Sequence, residues 1–182
     1  MDRRTFLAIA PAGGVLAATD AYATTYFSSQ SVLRTMFPAA TSFVDKSIAL
    51  TRPQMAAIGT AARTRVTNPR IVAFEAVSSA GKLGTIFIDQ VYGKHEFITF
   101  AVALDATGAV KTIEIMEYRE SYGDQVRLPA WRAQFVGQRG GPELRVDRQI
   151  RNISGATLSC VHITDGVRRL LATYSMALTQ RL

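Results

Sequence analysis

Apolar residues recur along the chain first with a helical period, then in alternation, and then with a helical period again. The spacing over residues 32–37 predicts a short amphipathic helix, with Ser28 or Ser29 as its N-cap and Pro38 at its end. Residues 41–50 contain apolar positions that are typical of a strand. The first part of the chain is therefore predicted to be a helix followed by a strand.

A second helix is predicted to begin after Thr51. Threonine is suited to cap a helix, and Pro53 falls in the first turn, where a missing backbone donor has no effect on the helical hydrogen bonds. The helical spacing continues until the Asn68-Pro69 pair, which is expected to end it.

Strand patterns occupy the middle of the chain. A turn is predicted at 79–82 and a hairpin turn at 105–108. The pattern favours an antiparallel sheet with one buried face. Its four strands are predicted at 71–77, 83–91, 97–104 and 110–118.

A polar loop, a short helix and a short strand are predicted to follow the sheet. The loop covers 119–124, and the helix covers 128–136, where Trp131 and Phe135 share one face at the i, i+4 spacing. A glycine-rich connection then leads to the strand, at 144–150. The order of helices, strands and a final helix predicts an α+β fold.

The segment 154–159 is a hydroxyl-rich turn that leads into the last helix. Thr157 or Ser154 is suited to cap this helix, whose first backbone N–H groups have no partners within the helix. Such a helix start attracts phosphate. Gly155 and Ala156 leave room for a bulky group to approach the backbone. Taken alone, however, most such turns are only helix caps.

Composition narrows the class of protein. The chain has 182 residues, 48% of them hydrophobic, which is enough for the core of one domain. Its net charge of +7 is spread without a basic, aromatic-interleaved patch, so nucleic acid is not an expected partner. The charge fits either a plain basic surface or attraction to an anionic cofactor, partner or lipid headgroup. A single cysteine, Cys160, excludes an intramolecular disulfide, and only two histidines accompany it, so no metal site is predicted.

The first 23 residues resemble a twin-arginine export signal. Two adjacent arginines precede an apolar run over 6–18 that is too short and glycine-rich to span a bilayer readily. Residues 21–23 have the small-x-small pattern of a cleavage site. We therefore expect a mature domain at 24–182 in the periplasm or another extracytoplasmic compartment. The alternatives are an amphipathic N-terminal helix and an uncleaved anchor that keeps the domain at the membrane surface.

Several motifs of the mature chain together identify a family. The most specific is Ser154-Gly155-Ala156-Thr157-x-Ser159 before a helix. The others are Phe37-Pro38, Leu50-Thr51, Gly93-Lys94-His95, Glu120-Ser121-Tyr122-Gly123 and Trp131-x-x-Gln134-Phe135-x-Gly137. With these motifs the chain resembles the FMN-binding domains of peripheral subunits of Rnf-type complexes and sodium-pumping NADH:quinone reductase, a family that also has free-standing exported members.

The resemblance implies that Thr157 carries FMN through a phosphoester bond, installed by a flavin transferase that uses FAD. The acceptor must be a hydroxyl, because a metal-dependent transferase turns it into a nucleophile toward the phosphoryl group. The helix start neutralises part of the phosphate charge, and Ser154 and Ser159 could donate hydrogen bonds to it. Arg151 stands where the family motif usually has an acidic residue, and the nearest acid is Asp147. Non-covalent FMN binding therefore stays open beside the covalent bond.

The resemblance also suggests contacts to the flavin ring. Glu120 and Tyr122 could contact the isoalloxazine and tune its potential, or form an ordinary turn at a strand end. Trp131 could stack near the flavin or belong to the core, while His95 and His162 are interpreted as loop and surface-helix residues. No catalytic residue is predicted. The predicted cofactor-binding residues are Thr157, Ser154, Gly155, Ala156, Leu158, Ser159, Glu120, Tyr122, Gly123 and Trp131.

The resulting expectation is an electron-transfer flavoprotein that cycles FMN between membrane or periplasmic redox proteins. One alternative is a flavin-dependent reductase of a small molecule, which needs a substrate cavity beside the ring. Another is a non-covalent FMN-binding or regulatory module in which the last motif is only a helix cap.

Overall fold

An antiparallel sheet forms the centre of the chain in a computed structural model, which describes residues 24–141 and 143–179. The export signal predicted over 1–23 lies outside these residues. The strands are β1 (Thr24–Thr25), β2 (Ser42–Asp45), β3 (Ile48–Ala49), β4 (Arg70–Ser78), β5 (Gly81–Tyr92), β6 (Phe97–Asp105) and β7 (Val110–Tyr118). Their order in the sheet is β1-β7-β6-β5-β4-β2, and β3 also pairs with β4. The four long strands are those predicted.

In the described residues, four α-helices accompany the sheet: α1 (Ser29–Met36), α2 (Arg52–Ala62), α3 (Pro129–Arg132) and α4 (Thr157–Thr173). Short 3-10 turns cover Asp124–Arg127 and Ala133–Phe135, and a π-helical turn covers Tyr174–Leu178. The predicted α+β class, with an antiparallel sheet and a helix after the hydroxyl-rich turn, is confirmed. Within 24–141 and 143–179, no helix combines the length and apolar character needed to cross a bilayer.

Apolar side chains are buried on both faces of the sheet, whereas the sequence predicted one buried face. Ile86 and Ala101 belong to the smaller core, which is covered by α1. Their chain neighbours Phe87 and Phe100 belong to the larger core, to which α2 and α4 contribute. Since successive side chains of a strand point to opposite faces, the central strands must be apolar at consecutive positions.

The start of α2 is a capping box. Thr51 Oγ1 accepts a hydrogen bond from the Gln54 backbone N–H at 3.4 Å, and Gln54 Oε1 accepts one from the Thr51 N–H at 2.9 Å. Pro53 lies in the first turn, as predicted. The local sequence alone is therefore sufficient to place this helix start.

We expect Thr51→Ala to lower the free energy of unfolding by about 1 kcal/mol, because it removes one half of the box. Thr60→Ala is the matched control on the same helix, since the Thr60 hydroxyl only bonds the Ala56 carbonyl at 3.0 Å. The free energy of unfolding of this control should lie within about 0.5 kcal/mol of that of the parent chain. Urea denaturation measures both, and equal losses would contradict a specific role for the cap.

Two predicted boundaries are wrong for local reasons. The segment 41–50 divides into β2 and β3, because Asp45 Oδ1 accepts the Ser47 backbone N–H at 2.7 Å and turns the chain between them. Helix α2 ends at Ala62, before the predicted Asn-Pro pair, since Arg63 adopts the left-handed conformation with φ 47°. In both cases the apolar periodicity predicted a longer element than the structure contains.

The strand predicted over 144–150 is also wrong. Its ladder contact among the residues that the structure describes is a single isolated bridge between Val146 and Ile150. Asp147 has φ 62°, and its N–H donates to the Ile150 carbonyl at 2.8 Å, so the chain folds back on itself here. The short helix predicted over 128–136 is confirmed as α3 followed by a 3-10 turn.

Arg168 ties α4 to the end of α2. Its side chain is 4% exposed and donates to the carbonyl oxygens of Ala62, Leu144 (2.8 Å) and Arg63 (3.4 Å). It also pairs with Asp165 at 2.7 Å. Since a helix leaves its last carbonyls without partners, the guanidinium closes the end of α2 and fixes the position of α4.

Candidate functional site

The turn at 154–159 leads into α4 without a side-chain cap. Ala156 occupies the N-cap position and no side chain bonds the first N–H groups, so the caps predicted at Thr157 and Ser154 are wrong. Thr157 is instead the first helical residue, and its side chain is exposed. Its Oγ1 accepts a hydrogen bond from Asn152 Nδ2 at 3.1 Å. The helix start therefore keeps its partial positive charge beside a threonine hydroxyl.

A cavity of about 670 Å³ opens at this helix start. Its walls are formed by residues 155–159, the turn at 94–96 and the loop at 119–122. Two large apolar side chains of these walls face solvent: Tyr122 is 83% exposed and Leu158 is 44% exposed. The volume lies within the range of about 300–1,000 Å³ that is usual for ligand sites. A helix start beside exposed apolar groups suits a ligand with a phosphate and a ring.

One carboxylate joins two walls of the cavity. Glu120 Oε1 accepts hydrogen bonds from the backbone N–H groups of Lys94, His95 (2.6 Å) and Glu96 (3.1 Å). A Cβ at Gly93 would overlap this oxygen, so a residue without a side chain is needed there. Burial acts to raise the pKa of Glu120, but the three backbone hydrogen bonds outweigh it and lower the pKa below its usual value.

We expect Glu120→Gln to lower the free energy of unfolding by about 1 kcal/mol at neutral pH, since an amide accepts these bonds more weakly than a carboxylate. Because the pKa of Glu120 is lowered in the folded state, the parent chain should have its full stability advantage over the variant above the ordinary glutamate pKa of about 4.3. The advantage should disappear as the pH falls through the lowered folded-state value. Denaturation at successive pH values measures it, with Glu96→Gln as control because the exposed Glu96 carboxylate has no ion-pair partner within the described residues. A pH-independent difference would contradict the proposed cause.

Tyr118 connects the loop to α4. Its buried hydroxyl lies 2.6 Å from the Tyr122 carbonyl and 3.0 Å from Ser159 Oγ. The carbonyl can only accept, so Tyr118 donates to it and Ser159 donates to Tyr118. Burial raises the pKa of Tyr118, against the lowering effect of the bond with Ser159, and this keeps the phenol protonated. Gly123, at φ 96°, is needed because a Cβ there would lie 2.6 Å from the phenol oxygen.

Comparison with known proteins identifies the domain that carries this cavity. Residues 93–172 match the family described as FMN-binding domain. The chain contains an FMN-binding domain. The matched range includes all three cavity walls, and it confirms the family resemblance, with FMN as the cofactor.

Other comparisons add little to this match. No curated protein sequence matches the chain. A crystal structure of Shewanella oneidensis NqrC is similar, with a TM-score of 0.49 and 14% identity, covering 85% of this chain and 77% of that one.

The residues of the FMN-binding domain at the cavity fit the cofactor. The uncapped start of α4 suits the phosphate, with the Thr157 hydroxyl within the same wall. Tyr122 and Leu158 offer apolar surface to a ring. Lys94 contributes a cation to the rim, and it has no ion-pair partner within 24–141 and 143–179. When bound, FMN supplies the redox chemistry that these side chains lack.

The structure brings most of the predicted cofactor residues to this cavity. Ser154 lies in the exposed turn before it, and Gly123 lies behind the wall against Tyr118. Trp131 is 4% exposed and packs edge-on against Phe135, with the ring centroids 5.1 Å apart. It therefore belongs to the core, the second of the two places expected for it, and does not line the cavity. The predicted residues that do line it are Gly155, Ala156, Thr157, Leu158, Ser159, Glu120 and Tyr122.

The tryptophan motif instead holds the backbone that precedes the turn. Trp131 Nε1 donates to the Arg151 carbonyl at 2.8 Å, and Gln134 Oε1 accepts the Arg151 N–H at 2.8 Å. Both backbone groups of Arg151 are therefore bound, while its side chain is exposed. A change of the Arg151 side chain leaves these bonds in place, so the departure from the family motif at this position does not disturb the turn.

The turn between β5 and β6 was not singled out as part of the site. Lys94, His95 and Glu96 line the cavity because Glu120, at the end of β7, binds their backbone. The sequence signal was the motif that begins at Gly93, but the carboxylate that holds the turn is distant in sequence. Only the tertiary contact could assign these residues to the site.

The two histidines and the cysteine lie in a turn, against a strand end and in the core. His95 is exposed in the β5–β6 turn, as interpreted, whereas His162 is half-buried, with Nδ1 2.5 Å from the Tyr92 carbonyl. Cys160 is fully buried in the larger core, and burial raises the pKa of its thiol. Within the part of the chain that the structure describes, no group of His, Cys, Asp and Glu residues is arranged to hold a metal ion.

Proposed function

We propose that the chain is an exported flavoprotein that carries electrons between membrane or periplasmic redox proteins, with FMN attached to Thr157 through a phosphoester bond. One observation carries this proposal. The Thr157 hydroxyl is exposed at the first residue of the uncapped helix α4, inside the cavity of an FMN-binding domain.

The surroundings of Thr157 support covalent attachment. Asn152 donates to Oγ1, so the hydroxyl keeps its own proton free for removal by a transferase. Nothing lies within 4 Å of a Cβ built at Gly155, which leaves space for a second enzyme to approach. An FAD-dependent flavin transferase would join the FMN phosphate to Oγ1, with release of the hydroxyl proton and of AMP. The acceptor hydroxyl and an open approach to it are thus both present for the transferase.

The openness of the cavity supports the role of a carrier. Tyr122 and Leu158 are exposed at its rim, so a ring held against them stays close to the surface. Glu120 and Tyr118 hold the surrounding loops in place through hydrogen bonds to backbone groups. A carrier needs such a fixed but accessible site, because its partners exchange electrons at the surface.

The alternative of a flavin-dependent reductase is favoured by a second cavity. A cleft of about 870 Å³ lies on the other side of the β5–β6 turn, where a small substrate could bind beside the flavin site. Steady-state turnover with reduced nicotinamide and candidate acceptors tests this activity. Turnover would support the reductase, and its absence with a fully loaded protein would favour the carrier.

Co-expression with a flavin transferase tests the main proposal. We expect a yellow native protein and a fluorescent band on a denaturing gel, at one FMN per chain. A dark band would contradict covalent attachment, provided that the transferase labels a known substrate in the same cells. A colourless native protein would contradict flavin binding itself.

Cell fractionation tests the export part of the proposal. The chain should be recovered outside the cytoplasm, and replacement of both Arg3 and Arg4 by lysine should retain it inside, since the paired arginines are the recognised feature of the signal. Equal export of the two chains would contradict a twin-arginine route.

A further inference from the structure

We propose that the second cleft binds a small organic anion with a flat apolar body. The cleft, of about 870 Å³, lies between the connection at 63–69, the start of β4, the paired segments of β5 and β6 beside their turn, and a half-buried side of α4. The β5–β6 turn and α4 border both this cleft and the FMN cavity, which is lined by residues 94–96 of that turn. None of the residues of this cleft belongs to the predicted cofactor site.

The apolar part of the cleft faces solvent. Tyr92 and Phe97 are 52% and 51% exposed, and their rings meet edge to face at 5.3 Å. Ile88, half-buried and on the same face of β5 as Tyr92, adds aliphatic surface to the lining. Aromatic side chains left in water beside a concave surface offer a flat ligand a large area to cover.

The charges of the cleft select an anion. Arg65 and Arg70 are exposed on its lining, and among the described residues no carboxylate lies within 4 Å of either guanidinium. The carboxylates of the cleft are already neutralised: Asp89 pairs with Arg169 at 2.6 Å, and Asp165 pairs with the buried arginine that ties α4 to α2. Arg65 and Arg70 therefore give the lining of the cleft a net positive charge. A guanidinium can bind a carboxylate or phosphate with two hydrogen bonds.

The cleft is formed before any ligand arrives. His162 Nδ1 donates to the Tyr92 carbonyl and so joins α4 to the end of β5. Gln90 Nε2 donates to Thr99 Oγ1 at 3.0 Å and links β5 with β6 along the same side. A ligand therefore needs to order little besides the two arginine side chains, which favours binding of a small molecule.

Calorimetric titration of the FMN-free mature chain with 2-naphthoate tests the proposal. Because no flavin is present, the result is independent of the proposed electron-carrier function. We expect one saturable site. Arg65→Gln and Arg70→Gln should each raise the dissociation constant roughly tenfold. Arg34→Gln, an equal loss of charge on α1, should leave binding unchanged because no residue of α1 lines the cleft.

Further arms identify the ligand chemistry and the place of binding. The neutral analogue 2-naphthalenemethanol should bind at least tenfold more weakly than naphthoate, while AMP shows whether a phosphate serves in place of a carboxylate. Amide NMR shifts should change at the cleft and not in α1. The proposal is overturned by equal binding of the neutral analogue, by unchanged affinity in both arginine variants, or by naphthoate signals that move only around Thr157.

Discussion

A Thr157→Ala chain co-expressed with a flavin transferase is expected to show no flavin fluorescence after denaturation, whereas the parent chain shows a fluorescent band. Alanine has no oxygen to attack the phosphoryl group, so the loss should be complete. Thr157→Ser should keep the band, because serine retains the nucleophilic oxygen at the same helix position. In-gel fluorescence at equal protein load measures all three chains.

Two neighbouring hydroxyls provide the controls for this prediction. Ser154→Ala removes an exposed hydroxyl of the turn before the helix and should leave the band intact. Ser159→Ala removes the bond to Tyr118 and should alter stability more than labelling. A fluorescent band in Thr157→Ala would place the attachment elsewhere, and loss of the band in every serine variant would indicate a general folding defect.

The native Thr157→Ala protein should still bind FMN reversibly. The uncapped start of α4 and the exposed side chains of Tyr122 and Leu158 remain, so the phosphate and the ring keep their contacts. Titration with free FMN, followed by dialysis, separates this binding from the covalent bond. A variant that no longer binds free FMN would show that the threonine itself is needed for recognition.

Arg168→Met is expected to lower the free energy of unfolding by about 3 kcal/mol, the largest stability change among these variants. Methionine fills a similar space but cannot donate hydrogen bonds. The carbonyl oxygens of Ala62 and Leu144 then lose a buried donor, and Asp165 loses its ion pair. Urea denaturation of the purified domain measures the loss.

Arg52→Met is the matched control for this variant. Arg52 is exposed at the start of α2 and takes part in none of the ion pairs of the described residues. Its replacement should change stability by less than about 0.5 kcal/mol. Equal losses in the two variants would show that the effect comes from the change of residue type and not from the buried network.

Local sequence was sufficient for features whose partners lie within a few residues. The capping box joins Thr51 to Gln54, and the hairpin turn depends on Asp105 Oδ1, which accepts the Thr107 and Ala109 N–H groups. The long strands follow from their β-branched residues. The hydroxyl-rich turn before α4 was likewise found from its own residues, including Thr157. In the capping box and the hairpin turn, the bonds that form the structure join residues no more than four positions apart.

Local sequence failed where a distant residue decides the conformation. The cap expected at Thr157 is absent, because its hydroxyl is bound by Asn152 and the turn places Ala156 at the N-cap position. The second buried face of the sheet depends on α1, which alternation within a strand cannot reveal. Trp131 was a candidate for stacking, yet its partner is the backbone of Arg151, twenty residues away.

The sequence by itself thus determined the helices, the four long strands, the family and the hydroxyl that is suited to carry FMN. The tertiary structure decided which residues surround that hydroxyl, because the cavity exists only where Glu120 binds the β5–β6 turn and Tyr118 binds the start of α4. These contacts join residues 24 to 41 positions apart. No periodic pattern or short motif encodes such a distance, so the part that the β5–β6 turn plays in the site was visible only in the folded chain.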